Sequence, residues 1–166
     1  MPVDKIVCNL VGFIMKYRML GRTGLRVSLV SLGSGGPSQL GQNTGVPEPE
    51  AHRLVQTALD MGINLIDTAT GYGQSEEILG RALKTIDRDQ YYIATKTRPT
   101  KNNRILSALE LNQQVETSLK RLQLETIDIF QFHGVLPDEY DGVRDNLFST
   151  AQKLKSQGKI RFIGIV

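Results

Sequence analysis

The chain has 166 residues, of which 40% are hydrophobic, 22% charged and 6% aromatic. This composition is typical of a globular domain and excludes a disordered, fibrous or disulfide-stapled chain. The net charge of +3 is spread without a basic block, so nucleic acid is not expected as a partner, and no apolar run approaches the roughly 20 residues that a membrane span needs.

Residues 1–14 are expected to form an N-terminal extension. Their apolar centre resembles a signal peptide, but Asp4 offsets Lys5 and no small-residue cleavage site follows. A second methionine, Met15, opens a segment typical of folded protein, so we interpret residues 1–14 as an alternative upstream start. A membrane-associating anchor and an ordinary strand or loop remain open alternatives. The only cysteine, Cys8, cannot form an internal disulfide, which favours a cytoplasmic location.

A β-hairpin is predicted first, because two strand-like runs flank the turn Gly21-Arg22-Thr23-Gly24. Strands alternating with helices follow. The predicted strands cover residues 27–32, 63–66, 91–95, 127–132 and 160–166, and apolar helical faces occupy residues 51–59, 78–86, 111–122 and 147–154. Gly62 and Gly158 are predicted to end the first and last helices, and Ser75 to cap the second.

Strands that alternate with helices at this regular spacing along the chain predict right-handed crossovers and a parallel α/β sheet. Two architectures fit this pattern: an open doubly wound sheet and a TIM-type (β/α)₈ barrel. A barrel of roughly 250 residues has about 31 residues in each unit, close to the predicted strand spacing. We therefore expect residues 15–166 to form a partial barrel domain of about five of eight units, preceded by the hairpin.

Four titratable side chains follow three successive predicted strands: Asp67, Tyr72, Lys96 and His133. Because parallel strands end at one rim of the fold, we expect these side chains to converge there. Each of them alone has a structural explanation. Asp67 can cap the following turn, Tyr72 can cover the mouth of the barrel, and His133 can be a structural histidine whose hydrogen bonds are all made within the protein. Their coincidence on successive strands favours a catalytic site.

Such a set can support the reduction of a carbonyl group. Hydride addition leaves charge on the carbonyl oxygen, which must receive a proton as that charge develops. A tyrosine hydroxyl can donate the proton when an ammonium stabilises the phenolate, and a carboxylate can hold the ammonium in place. A histidine can orient the carbonyl. One histidine and one aspartate are too few for a metal site, and no serine lies in a nucleophile-elbow motif.

These residues lie in motifs that resemble the aldo-keto reductase family. The matching segments are Asp67-Thr-Ala-Thr-Gly-Tyr72-Gly with Ser75-Glu76 and Leu79-Gly80, then Ala94-Thr95-Lys96, then residues 118–122 with 127–133, and finally residues 158–165. The resemblance extends from Met15 to Val166. It implies an NADPH-dependent reductase of small aldehydes and ketones on a TIM barrel whose bottom is closed by a hairpin. It also implies that Tyr72 is the general acid, that Lys96 tunes it, that Asp67 orients Lys96 and that His133 positions the carbonyl.

A glycine-rich segment is the first candidate for a cofactor site. Gly33-Ser34-Gly35-Gly36 follows the first strand, but it lacks the glycine spacing and the immediate helix of a dinucleotide-binding loop. The resemblance instead makes Gly33, Ser34, Gly35 and Asp67 candidates for the nicotinamide end of NADPH. It places the residues that hold the cofactor phosphates beyond Val166.

Three interpretations of function remain open at this point. The chain is part of an active reductase, an inactive truncated remnant of one, or a reductase-like regulatory subunit of the kind that associates with channels. Strands left unpaired at the ends of a partial sheet also predict self-association or poor solubility. The substrate is not identified, although residues 98–104 indicate a polar third loop.

Overall fold

The computed structural model describes residues 14–166. The predictions for residues 1–13, and with them Cys8, lie outside the described residues. Within these bounds a β-hairpin is followed by strands and helices that alternate. No helix of residues 14–166 is both long and apolar enough to cross a membrane.

The hairpin consists of β1 (Tyr17–Met19) and β2 (Arg26–Ser28), which pair antiparallel. Gly21 and Gly24 adopt positive φ angles of 50° and 73° in the turn, a conformation that glycine adopts without strain. The Ser28 amide donates to the Asn64 side chain at 2.7 Å. Since Asn64 immediately precedes a strand of the main sheet, the hairpin lies at the amino end of that sheet, as the resemblance implied.

The remaining elements follow in chain order. They are β3 (Leu32–Gly33), α1 (Glu48–Asp60), β4 (Leu65–Asp67), α2 (Ser75–Ala82), β5 (Tyr92–Thr97), β6 (Thr100–Lys101), β7 (Arg104–Ile105), α3 (Ala108–Leu122), β8 (Ile127–Phe132), α4 (Tyr140–Gly142), α5 (Phe148–Ser156) and β9 (Ile160–Ile165). A π-helical turn, Val143–Leu147, joins α4 to α5.

Five of these strands form one parallel sheet in the order β3-β4-β5-β8-β9. Each step to the next strand passes through helical structure, as right-handed crossovers require. The fold is therefore the α/β TIM-barrel type that the strand spacing predicts, in the form of a partial barrel. Strands β3 and β9 are the edges of this sheet, and self-association through them stays a prediction.

The predicted strand at residues 27–32 is wrong as a single element. Val27 belongs to the hairpin and Leu32 to the main sheet, and the chain turns between them. The Ser28 hydroxyl donates to the Val30 carbonyl oxygen at 2.6 Å, and Leu29 and Val30 are about half exposed. The apolar pattern predicted one buried strand, because periodicity does not indicate the local side-chain hydrogen bond that divides this segment.

The helices pack on one face of the parallel sheet and bury most of the core. Val55, Leu79, Leu111 and Leu154, one from each longer helix, belong to the same cluster as Ile93 and Phe130 of the strands. The adjacent strand residues Ala94 and Ile129 face the opposite side, where they meet Leu25 and Val27 of the hairpin. Because side chains alternate along a strand, Lys96 lies on the same inner face as Ala94.

Candidate active site

The four predicted catalytic residues lie at the carboxyl ends of neighbouring strands. Asp67 ends β4, and Tyr72 lies in the loop between β4 and α2. Lys96 is the penultimate residue of β5, and His133 directly follows β8. Since β4, β5 and β8 are adjacent and parallel, their ends share one rim. The structure thus brings together all four residues that the sequence analysis selected.

Lys96 and Asp67 form an ion pair at the base of the site. The Lys96 Nζ donates to Asp67 Oδ1 at 2.5 Å and to the Thr68 carbonyl oxygen at 2.8 Å. The Lys96 side chain is only 6% exposed, whereas that of Asp67 is 36% exposed. A buried ammonium requires partners of this kind, so Asp67 and the end of β4 fix where the Lys96 charge lies.

Tyr72 lies close to both this ammonium and the His133 ring. Its ring centroid is 5.3 Å from Lys96 Nζ and 5.9 Å from the His133 ring, with the two rings at 88°. A Cβ atom on Gly35 would lie 2.6 Å from Cε2 of Tyr72. Gly35 therefore lets the tyrosine ring pack directly on the backbone that follows β3, and any side chain there would displace the ring.

A hydrogen bond from Ser75 connects the loop that carries Tyr72 to the residues after β3. The Ser75 hydroxyl donates to the Ser34 carbonyl oxygen at 2.8 Å and accepts from Gln42 Nε2 at 3.0 Å. The predicted capping role of Ser75 is wrong, because Ser75 is the first residue of α2 and its hydroxyl is committed to this tie. The consequence is a tyrosine held from two sides, by Gly35 and by Ser75.

A buried carboxylate, Glu76, links the Tyr72 loop to the Lys96 strand. Glu76 is 1% exposed and accepts a hydrogen bond at 2.7 Å from the hydroxyl of Thr95, the residue before Lys96. Arg121 of α3 lies 3.4 Å from its other oxygen. From sequence, Glu76 was identified only as part of a family motif. Its contact with Thr95 was not predicted, because periodicity gives no sign that a charged side chain is buried.

His133 is held in a positively charged environment. Burial lowers the pKa of its imidazole, and the nearby charges of Lys96 and Arg98 lower it further, against a smaller opposing effect of Asp67. The neutral imidazole is therefore favoured at His133. A neutral ring can donate one hydrogen bond, which suits the proposed contact with a carbonyl oxygen.

A pocket of about 360 Å³ opens beside Tyr72 and His133. Its other lining residues come mainly from the segment after β5 and from α3: Thr70, Gly71, Thr97, Arg98, Thr100, Lys101, Leu106 and Gln114. Thr70 and Gly71 belong to the family motif, and residues 98–104 were expected to be polar, but Thr97, Leu106 and Gln114 were not predicted from sequence. The signal available for Arg98 and Lys101 was their position in the segment that follows the strand of Lys96.

The candidate cofactor residues lie at or directly after the ends of β3 and β4, and none of them lines this pocket. Gly33 is exposed and pairs in register with Asp67. Ser34 is fully buried, its amide donates to the Asp67 carbonyl oxygen at 2.8 Å, and its hydroxyl has no partner among the described residues. The open polar groups at this edge are therefore those of Gly33 and of the half-exposed Asp67 carboxylate.

No cluster of three potential metal ligands occurs in residues 14–166. The ion pair of Lys96 with Asp67 leaves that carboxylate facing an ammonium, which competes with any cation.

The sequence of the chain matches the aldo/keto reductase family over residues 31–166. The chain belongs to the aldo-keto reductase family. It is 39% identical to L-galactose dehydrogenase of Arabidopsis thaliana over 156 residues, which cover 91% of this chain and 48% of that protein. It is 33% identical to the NADH-specific methylglyoxal reductase of Escherichia coli, covering 90% of this chain and 51% of that enzyme.

The structure is also similar to that of a solved aldo-keto reductase. The holo form of aldo-keto reductase AKR11C1 from Bacillus halodurans superposes with a TM-score of 0.76 at 33% identity, covering 92% of this chain and 50% of that one. The family and the barrel fold that the motifs implied are thus confirmed. This aldo-keto reductase chain spans about half the length of the relatives it matches.

Proposed function

We propose that this chain carries the proton-donating half of an NADPH-dependent carbonyl reductase, with Tyr72 as the general acid. The observation that carries the proposal is that the Tyr72 ring lies close to both the Lys96 ammonium and the His133 ring. Bound NADPH would supply a hydride to the carbonyl carbon. The residues of this chain would then hold the carbonyl and deliver the proton.

Each residue has a role that follows from its contacts. Tyr72 donates its hydroxyl proton to the oxygen on which negative charge develops. Lys96 stabilises the resulting phenolate because it is a buried cation near the ring, and Asp67 keeps Lys96 in place at 2.5 Å. His133, favoured in its neutral form, donates a hydrogen bond that orients the carbonyl oxygen. Together the groups stabilise charge that appears only during the reaction.

The nicotinamide end of NADPH fits the edge formed by the end of β3. We propose Gly33 and Asp67 as direct contacts, because both keep polar groups open to a ligand. Ser34 and Gly35 lie behind them, where one holds Ser75 and the other receives the Tyr72 ring. We propose further that residues 15–166 act as one partial barrel domain in the cytoplasm.

The exchange Tyr72→Phe tests the assignment of the proton donor. It removes one oxygen and keeps the ring that packs on Gly35, so folding should be preserved. We expect kcat for a small aldehyde to fall by about 100-fold or more, the usual contribution of a general acid, while NADPH affinity stays near that of the unaltered chain. The measurement is the loss of nicotinamide absorbance on addition of the aldehyde.

Tyr92→Phe is the matched control, because Tyr92 begins β5 at the end of the strand remote from Lys96. Turnover that survives in Tyr72→Phe would refute the assignment. Cofactor binding without turnover in the unaltered chain would favour the inactive-remnant or regulatory alternatives instead.

A further inference from the structure

Two cations without acidic partners line the pocket beside Tyr72 and His133. These are Arg98, immediately after β5, and Lys101, the last residue of β6. Neither forms an ion pair within residues 14–166, whereas Arg104 of the same loop is paired with Glu110. No aspartate or glutamate of the described residues lines this pocket. The pocket is thus positively charged, since the Lys96 and Asp67 charges behind it cancel.

The backbone holds both cations in place. Strands β6 and β7 pair antiparallel around Asn102 and Asn103, whose φ angles of 51° and 58° form the two-residue turn that asparagine tolerates well. Lys101 therefore lies on a short hairpin and not on a free loop. The Arg98 guanidinium carbon lies 3.9 Å from the position that a Cβ on Gly134 would occupy, which places it beside the residue that follows His133.

The charge of Arg98 already acts on the catalytic rim. It is one of the charges that lower the pKa of His133, so the guanidinium and the imidazole share one electrostatic environment. The rest of the pocket wall is polar and includes the hydroxyls of Thr70 and Thr97, which lie 3.3 Å apart. A ligand whose carbonyl reaches Tyr72 and His133 would bring its other end towards this wall and these cations.

From this arrangement we infer that the substrate carries an anionic group, such as a carboxylate, which Arg98 and Lys101 bind while its carbonyl lies at Tyr72 and His133. The pocket volume of about 360 Å³ suits a small oxo acid. The inference rests on the proposed function and adds the class of substrate. We assign the anion to the substrate and not to the cofactor, because Arg98 and Lys101 line the same pocket as Tyr72 and His133, whereas the candidate cofactor residues at the end of β3 do not line it.

Equilibrium binding tests the inference without requiring turnover. The full chain is titrated with levulinate and, separately, with methyl levulinate, which has the same ketone but no charge, and amide NMR shifts at the rim report binding. We expect levulinate to bind about tenfold more tightly, as for a hydrogen-bonded charge in a partly exposed site. We expect Arg98→Gln and Lys101→Gln each to reduce this preference, and added salt to weaken it.

Arg22→Gln is the matched control, since Arg22 is an exposed cation in the hairpin turn at the other end of the sheet. Equal affinities for the two ligands, no binding of either, or a preference that both pocket variants leave intact would overturn the inference. So would an Arg98→Gln variant that loses NADPH affinity and keeps the levulinate preference. Levulinate preference without reduction of either ketone would leave the inference standing and refute the proposed function.

Discussion

At the scale of single residues, some side chains of the site can be identified from sequence, whereas the contacts of others are evident only in the folded chain. Asp67 and Lys96 could be found because each lies at or next to the carboxyl end of a parallel strand, where such groups converge. Glu76 could not, because an acidic residue in a first helical turn is normally solvated, and only the folded chain shows its hydrogen bond to Thr95. The role of Ser75 was likewise decided by a distant partner, the Ser34 carbonyl oxygen.

The pKa of His133 offers a direct test at this scale. Burial and the charges of Lys96 and Arg98 lower it below the ordinary value of 6.5. Because the pKa of His133 is lower in the folded chain, the unfolded chain binds a proton more readily. The contribution of His133 to the free energy of unfolding is therefore fully present above about pH 6.5 and is lost as the pH falls through the lowered pKa. We expect an NMR titration of the His133 ring to give a pKa below 6.5, and Arg98→Gln to raise it.

Arg22→Gln should leave the His133 titration unchanged, because that cation lies in the hairpin turn. A value at or above 6.5 in the unaltered chain would contradict the described environment of the ring.

At the scale of elements, α2 and α3 approach each other so closely that one position requires glycine. A Cβ on Gly80 would overlap the backbone carbonyl oxygen of Arg121. This contact also holds Arg121 where it reaches Glu76 and Glu77. The helices themselves were predicted from their apolar periodicity, but their separation was not, because periodicity identifies a buried face and not the distance to its neighbour.

We predict that Gly80→Ala destabilises the chain. Overpacking against backbone costs about 1–3 kcal/mol, although alanine is intrinsically better in a helix by about 1 kcal/mol. The free energy of unfolding in urea should therefore fall clearly.

Gly142→Ala is the control, since a Cβ there would meet only the Ile105 side chain, which can move. A Gly80→Ala variant as stable as Gly142→Ala would show that α2 and α3 separate without cost.

At the scale of the whole molecule, strand spacing predicted a parallel α/β sheet and favoured a barrel over an open doubly wound sheet. The five main strands lie in the predicted order, and the hairpin lies at the amino end of the sheet. The division of residues 27–32 between hairpin and sheet was not predictable, because it depends on the Ser28 hydroxyl. The irregular segment after β5 was also beyond prediction, since two-residue strands carry no periodicity.

We propose above all that Tyr72 donates the proton to a carbonyl group that NADPH reduces at this site. The most direct measurement is incubation of the purified, folded chain with a ketone and NADPH deuterated at the transferred position, followed by mass spectrometry of the product. We expect an alcohol that carries one deuterium on the carbinol carbon, and we expect the Tyr72→Phe variant to form almost none of it. An unlabelled alcohol, or no alcohol at all from the folded chain, would contradict the proposal.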